Sequence, residues 1–159
     1  MKFLIDTECW LWSFGEPDRL NAEAKRLITD PSSAIYFSAA SSWEIAIKAA
    51  LGKLKLPESP EQFVPSRLVA LRMVSLPIEH KHALRVFALP HHHRDPFDRI
   101  LVAQAQIESL PILTADRTLS MYDVRIIWAS AHRSPGRFQS ALPEVEKSEA
   151  SIDPPTSEQ

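Results

Sequence analysis

A parallel β-sheet covered by helices on both faces is the architecture this sequence predicts, and three observations predict it. Short apolar segments with strand character alternate with segments of helical periodicity as far as Trp128. The first of them, Phe3-Leu4-Ile5, is apolar without alternation, as a strand buried on both faces would be. At 159 residues, 45% of them hydrophobic, the chain is long enough to bury a core as one domain.

The elements follow in order. After the strand at 3–5, residues 9–14 read as a short helix with Trp10, Leu11 and Phe14 available for packing. Residues 20–28 carry Leu20, Ala24, Leu27 and Ile28 at helical spacing, and Asp30-Pro31-Ser32-Ser33 is a turn. Ile35-Tyr36-Phe37 is a second strand. The spacing predicts a helix over 41–51, with Trp43, Ile47, Ala50 and Leu51 as its apolar stripe and Gly52 as its stop. A loop with Pro57 and Pro60 leads to a helix at 63–73, a strand at 74–76 and a helix at 78–89 ended by Pro90. His91-His92-His93-Arg94 is a basic loop. Asp95-Pro96 opens a helix to about Ser109, with proline at the favoured first position. Strands at 111–114 and 124–128 complete the set. We divide the chain into a folded domain, 1–129, and a tail, 130–159, whose prolines, serines and acids lack apolar periodicity and are expected to be disordered. Arg133 and Arg137 read there as solvated charges.

Composition excludes several function classes. A net charge of -2 provides no global field for nucleic acid, so any such binding must use a local basic patch or metal ions. The one cysteine, Cys9, forms no internal disulfide and reads as a buried, inert thiol in a reducing compartment. No apolar run reaches the roughly 18 residues of a membrane span. Asp6 and Glu8 interrupt any secretory pattern, so a cytoplasmic location is expected. No G-x-S-x-G elbow occurs, and three glycines are too few for a glycine-rich phosphate loop.

What remains is a distribution of carboxylates. Asp6 closes the first strand, Asp116 follows Ile112-Leu113-Thr114, and Glu44 and Asp98 each lie in the first turn of a predicted helix. Ligands in open α/β sheets bind beyond the carboxyl ends of the strands, which is where these four acids would converge. Such a nest of charge is costly unless divalent cations fill it. Each acid has a plainer reading. Ser41-x-x-Glu44 matches a capping box, and Lys48 can pair with Glu44 one turn on. Acids at 95 and 98 favour a helix dipole. Asp116 can open a turn with Arg117. Asp6 is harder to dismiss, because a carboxylate ending a buried strand needs a partner.

The cluster suits hydrolysis of phosphodiesters with Mg²⁺ or Mn²⁺. Thr7 and Thr114 are the supporting hydroxyls. Lys48, Arg94, Arg99 and Arg117 flank the expected crevice as candidate phosphate contacts. The histidine run reads as a flexible basic loop touching substrate phosphates, since three adjacent side chains cannot all face one ion, or as a plain surface loop.

Phe3-Leu4-Ile5-Asp6-Thr7, Ser41-Ser42-Trp43-Glu44-Ile45-Ala46-Ile47-Lys48, Leu51-Gly52-Lys53-Leu54, His92-His93-Arg94-Asp95-Pro96-Phe97-Asp98-Arg99 and Thr114-Ala115-Asp116 together resemble the PIN-domain family. Within it, the chain is similar to the VapC-type ribonuclease toxins of type II toxin–antitoxin pairs, over about residues 2–128. The resemblance implies a three-layer α/β/α PIN-like fold with a central parallel sheet. It implies a Mg²⁺- or Mn²⁺-dependent endoribonuclease, an RNA substrate, a cognate VapB-like antitoxin and a homodimer. By position, Asp6, Glu44, Asp98 and Asp116 match the family's metal-binding acids and Thr114 its supporting hydroxyl. Asp95 is a helix cap rather than a matched acid. Glu8 stands where many relatives carry histidine. Two other readings stay open here. One is a catalytically silent PIN fold that binds RNA or protein. The other is a phosphatase with Asp6 as nucleophile and Glu8 as acid, which leaves the Asp98 and Asp116 motifs unexplained.

Overall fold

The computed structural model describes residues 1–130, so the tail beyond Ser130, with its expected disorder and with Arg133 and Arg137, lies outside the described residues. Strands β1 (Lys2–Ile5), β2 (Ala34–Ser38), β3 (Val74–Leu76), β4 (Ile112–Thr114) and β5 (Ile126–Trp128) form one sheet in the order β3-β2-β1-β4-β5. Every pairing is parallel, with Leu4 opposite Tyr36 on one side and Ile112 on the other. The chain builds outward from β1 to β3, then returns to the far side of β1 for β4 and β5. The strand order therefore reverses between β1 and β4, and the crevice of the sheet opens at their carboxyl ends.

Alternation along β1 divides the core. Phe3 and Ile5 pack with Trp10, Trp12, Leu27 and Phe63 from helices α1 (Thr7–Gly15), α2 (Ala22–Thr29) and α4 (Pro60–Ala70). Leu4 and Ile112 pack on the other face with Leu101, Val102 and Ala105 of α6 (Pro96–Glu108). Helix α5 (His80–Arg85) lies against α6, and α3 (Ala39–Ala50) touches α1, α4 and α6. The three layers expected from the sequence are present. Among the described residues no helix is long and apolar enough to cross a membrane.

Among the helix starts that differ from the sequence reading, those of α1 and α3 move because another side chain caps better. Helix α1 begins at Thr7, directly after the strand, because the Asp6 carboxylate accepts the Cys9 N–H at 2.7 Å. Helix α3 begins at Ala39, because the Ser38 hydroxyl takes the Ala40 N–H at 3.0 Å. That hydroxyl is itself held by Gln104 of α6 at 2.5 Å, a tertiary contact no local pattern displays. Ser41 is therefore no N-cap, the expected capping box with Glu44 does not form, and Glu44 lies in the second turn. Helix α4 starts at Pro60 behind Ser59 rather than at residue 63. The helix expected over 78–89 is shorter, ending at Arg85 and tightening into a 3-10 turn at Val86–Ala88.

The expected apolar stripe of α3 is also corrected. The helix buries Ala40, Ser41, Glu44 and Ile45, while Trp43, Ala50 and Leu51 are exposed. An acid faces inward and a tryptophan outward. Local periodicity would choose the reverse, so the sheet's crevice rather than the core orients this helix.

Candidate active site

Each acid reaches the crevice for a local reason. Asp6 extends the ladder past β1, with its N–H on the Leu113 carbonyl at 3.1 Å, and caps α1 with one carboxylate oxygen. The buried Thr114 hydroxyl donates to the same carboxylate and accepts the Asp116 N–H at 2.9 Å. One hydroxyl at the end of β4 therefore joins the acids that follow the two central strands. Asp116 caps the 3-10 turn Arg117–Met121 through the Thr118 N–H at 2.8 Å. Asp95 caps α6 through the Phe97 N–H at 2.9 Å, as expected, which places Asp98 in the first turn.

Glu44 is the most constrained of the four. Its Oε2 accepts the Thr7 hydroxyl at 2.7 Å, and Thr7 in turn receives the Ser41 hydroxyl at 2.9 Å. Its other oxygen pairs with Lys48. All three members of the hydroxyl–carboxylate chain are buried.

The charges act on one another. Burial pushes the Asp98 carboxyl up to about 8, and Asp95, Asp6, Glu44 and Asp116 add repulsion in that order. Burial raises Asp6 to about 6, with Glu8 adding to the rise and the hydrogen bonds from Thr114 and Cys9 opposing it. Asp98 is thus within electrostatic reach of the other three sequence-predicted acids.

Sequence reasoning treats His91–His93 as one basic loop, but the structure separates its members. His91 and His92 are exposed. His93 turns inward, with its N–H on the Tyr122 hydroxyl at 2.8 Å and its Nδ1 accepting the Asp95 N–H at 3.1 Å. That leaves the ring proton on Nε2, which faces Asp116 Oδ2 at 2.9 Å and Asp98 Oδ2 at 3.3 Å. His93, Asp98 and Asp116 bring one ligand atom each within 4.8 Å of one another. With Nδ1 occupied by a donor, however, His93 holds a proton toward the acids rather than a lone pair toward an ion. No sequence signal singles it out, because its role depends on Asp116, far along the chain.

The predicted basic contacts also divide. Arg94 and Arg117 are exposed, on the loop before α6 and next to Asp116. Lys48 is half-buried against Glu44. Arg99 is not a phosphate contact. It is buried, and its guanidinium donates to the carbonyls of Pro90 at 2.8 Å, Val86 at 3.1 Å and Leu89 at 3.2 Å, and to the Tyr122 hydroxyl at 3.3 Å. It fastens the 86–90 segment to the start of α6.

The donor set fits a hard divalent cation. The acids offer only oxygen, two of them carry carboxyls raised chiefly by burial, and Lys48 is committed to Glu44.

An acid cluster set where the order of a parallel sheet reverses defines a class of α/β proteins that bind ligands at strand ends. Within that class the chain belongs to the PIN-domain family, whose sequence model, described as PIN domain, matches residues 3–125. It is similar to Ribonuclease VapC16 of Mycobacterium tuberculosis, 40% identical over 60 residues. That stretch is 38% of this chain and 43% of the relative, so the match spans less than half of that protein. Among solved structures it is similar in fold to VapBC2 from Rickettsia felis bound to a promoter DNA fragment. That match has a TM-score of 0.60 and 14% identity, covering 79% of this chain and 96% of the other. FitAcB from Neisseria gonorrhoeae is similar at a TM-score of 0.52 and 22% identity, covering 79% and 96%.

Proposed function

We propose that this protein is a metal-dependent endoribonuclease of the VapC type, a toxin restrained by a small antitoxin. The observation that carries the reading is the convergence of Asp6, Glu44 and Asp116 on Asp98 in one crevice, where burial first and the neighbouring carboxylates second raise the Asp98 carboxyl to about 8.

Asp6, Asp98 and Glu44 would hold Mg²⁺ or Mn²⁺, with Asp116 completing the set. A bound ion of this kind supplies a water of lowered pKa and a counter-charge for the phosphate. The chain's own residues prepare the site. Thr114 ties Asp6 to the Asp116 backbone, and Thr7 holds Glu44, so the acids keep their positions despite their repulsion. Arg94 and Arg117, exposed at the rim, and Lys48 provide positive charge for the flanking phosphates. His93 donates to Asp116 and Asp98, and this bond must open for an ion to enter between them.

The ribonuclease named above and the VapBC2 and FitAcB structures of the same fold support this reading. The same reading includes a VapB-like antitoxin, a homodimer, a cytoplasmic location and a domain boundary near residue 129. Purified protein should cleave RNA in Mg²⁺ or Mn²⁺ and stop in EDTA. Absence of cleavage with either ion would refute the activity.

A further inference from the structure

We propose that Trp43, braced by Phe97, is a stacking platform for an unpaired nucleobase beside the cleaved phosphate. The inference rests on the ribonuclease reading and adds a contact that the acids themselves cannot make.

Trp43 and Glu44 are consecutive on α3, and Phe97 and Asp98 are consecutive on α6. The two helices pack together, and the two aromatic rings meet edge to face, with centroids 5.0 Å apart and planes at 78°. An aromatic pair therefore runs alongside the acid pair, one residue removed on each helix. Trp43 is 57% exposed although it is among the largest apolar side chains in the protein. Leaving more than half of an indole in water forgoes the gain from burying it, and this helix buries Glu44 instead. The Phe97 contact fixes the ring at little entropic cost on binding, and its exposed surface stays open.

Base–aromatic stacking needs a base face that no neighbour covers. A paired, stacked duplex does not offer one, while a single strand or loop does. Stacking is tolerant of base identity, so the platform selects unpaired strand rather than sequence. The outward stripe of α3 continues to Leu51, two turns away, and a protein partner is the competing occupant. Trp43 is the member of that stripe beside Glu44 and braced at the start of α6, which favours substrate.

The test compares wild type, Trp43→Phe and Trp43→Ala on a labelled single-stranded RNA and on the same strand annealed to its complement. Binding is read by fluorescence anisotropy in EDTA, and turnover is read with Mn²⁺. Trp43→Ala should weaken single-strand binding by about 5- to 100-fold, the range expected for removing one base stack. It should raise KM by more than it lowers kcat. Trp43→Phe should recover most of the deficit, and duplex binding should change little. The proposal is overturned if single-strand affinity and KM are unchanged in Trp43→Ala, or if duplex binding weakens as much as single-strand binding. It is equally overturned if the substitution disrupts only self-association or antitoxin binding. Wild type that binds single strands through Trp43 but never cleaves them would refute the ribonuclease reading and leave the platform standing.

Discussion

The Thr7 hydroxyl donates to Glu44 Oε2 at 2.7 Å, so the residue after the β1 acid and the acid of α3 form one hydrogen-bonded unit. Ser41, a turn before Glu44, feeds the same hydroxyl. Thr7→Val keeps the volume and removes the donor, leaving a buried carboxylate short of a partner. A hydrogen bond to a charged group is worth about 1.5–3 kcal/mol, and urea denaturation should show a decrease in that range. The Mn²⁺ concentration for half-maximal cleavage should also change, because Glu44 is no longer held. Thr7→Ser should restore both. An unaltered urea midpoint for Thr7→Val would mean that the bond does not contribute.

The metal-free protein should lose stability as pH rises. Asp98 titrates near 8 and Asp6 near 6 when folded, against 3.8 as the ordinary value for both. Between those limits the folded state holds protons that the unfolded state has released. Stability therefore falls with pH across that interval, steepest where both differences apply, and the two carboxyls' share of the fall is complete above about 8. The lowered carboxyls of Glu23, Asp30 and Glu108 act in the opposite direction, but below their ordinary values of 4.5 and 3.8. Denaturation in EDTA at pH 5 and pH 8.5 isolates the effect, and Mn²⁺ should stabilise far more at the higher pH. EDTA-treated protein that is more stable at pH 8.5 would contradict the arrangement.

Most of the fold was legible because the strands are short apolar runs, and a carboxylate ending such a run has few structural uses. Asp6 and Asp116 were placed that way, and the structure puts both beside the point where the strand order reverses. Asp98 was legible through Asp95-Pro96, a local capping signal that the fold keeps. What escaped was decided by partners distant in sequence. Ser38 outcompetes Ser41 as a cap through Gln104. Arg99 turns inward to carbonyls of a loop whose path the sequence does not reveal. His93 is singled out from its neighbours by the Asp116 and Asp98 carboxylates that its ring faces. Helix periodicity misplaced the buried face of α3 because the crevice, a functional surface, sets that helix's rotation.

Asp98→Asn should trade activity for stability. Removing the charge most strongly raised by burial and repulsion relieves the folded state, so at pH 8 in EDTA the variant should gain about 0.5–2 kcal/mol over wild type. Cleavage should fall by at least about 100-fold, within the range attributed to removing one electrostatic stabiliser of the reacting centre. Asp6→Asn should likewise abolish cleavage while keeping α1, since asparagine caps as well as aspartate. Circular dichroism reads the fold and a fluorogenic RNA reads the activity. Full cleavage by either variant would remove that acid from the proposed site.

Two arginines of one loop-and-helix segment should behave in opposite ways. Arg99 is buried and satisfies three carbonyls and a phenol, so Arg99→Leu strands those acceptors and should cost about 2–4 kcal/mol. Its cleavage defect should follow the unfolded fraction and shrink as temperature is lowered. Arg94 is exposed, so Arg94→Ala should leave the melting temperature within about a degree or two, in keeping with the usual ±0.5 kcal/mol of surface substitutions. It should instead raise KM and flatten the salt dependence of RNA binding, since each phosphate left without its cation lowers the log–log slope on a single strand by about 0.7. Arg117→Ala should match Arg94→Ala. The distinguishing measurement is the salt slope. A flattened slope for Arg99→Leu with unchanged stability would return Arg99 to the substrate surface.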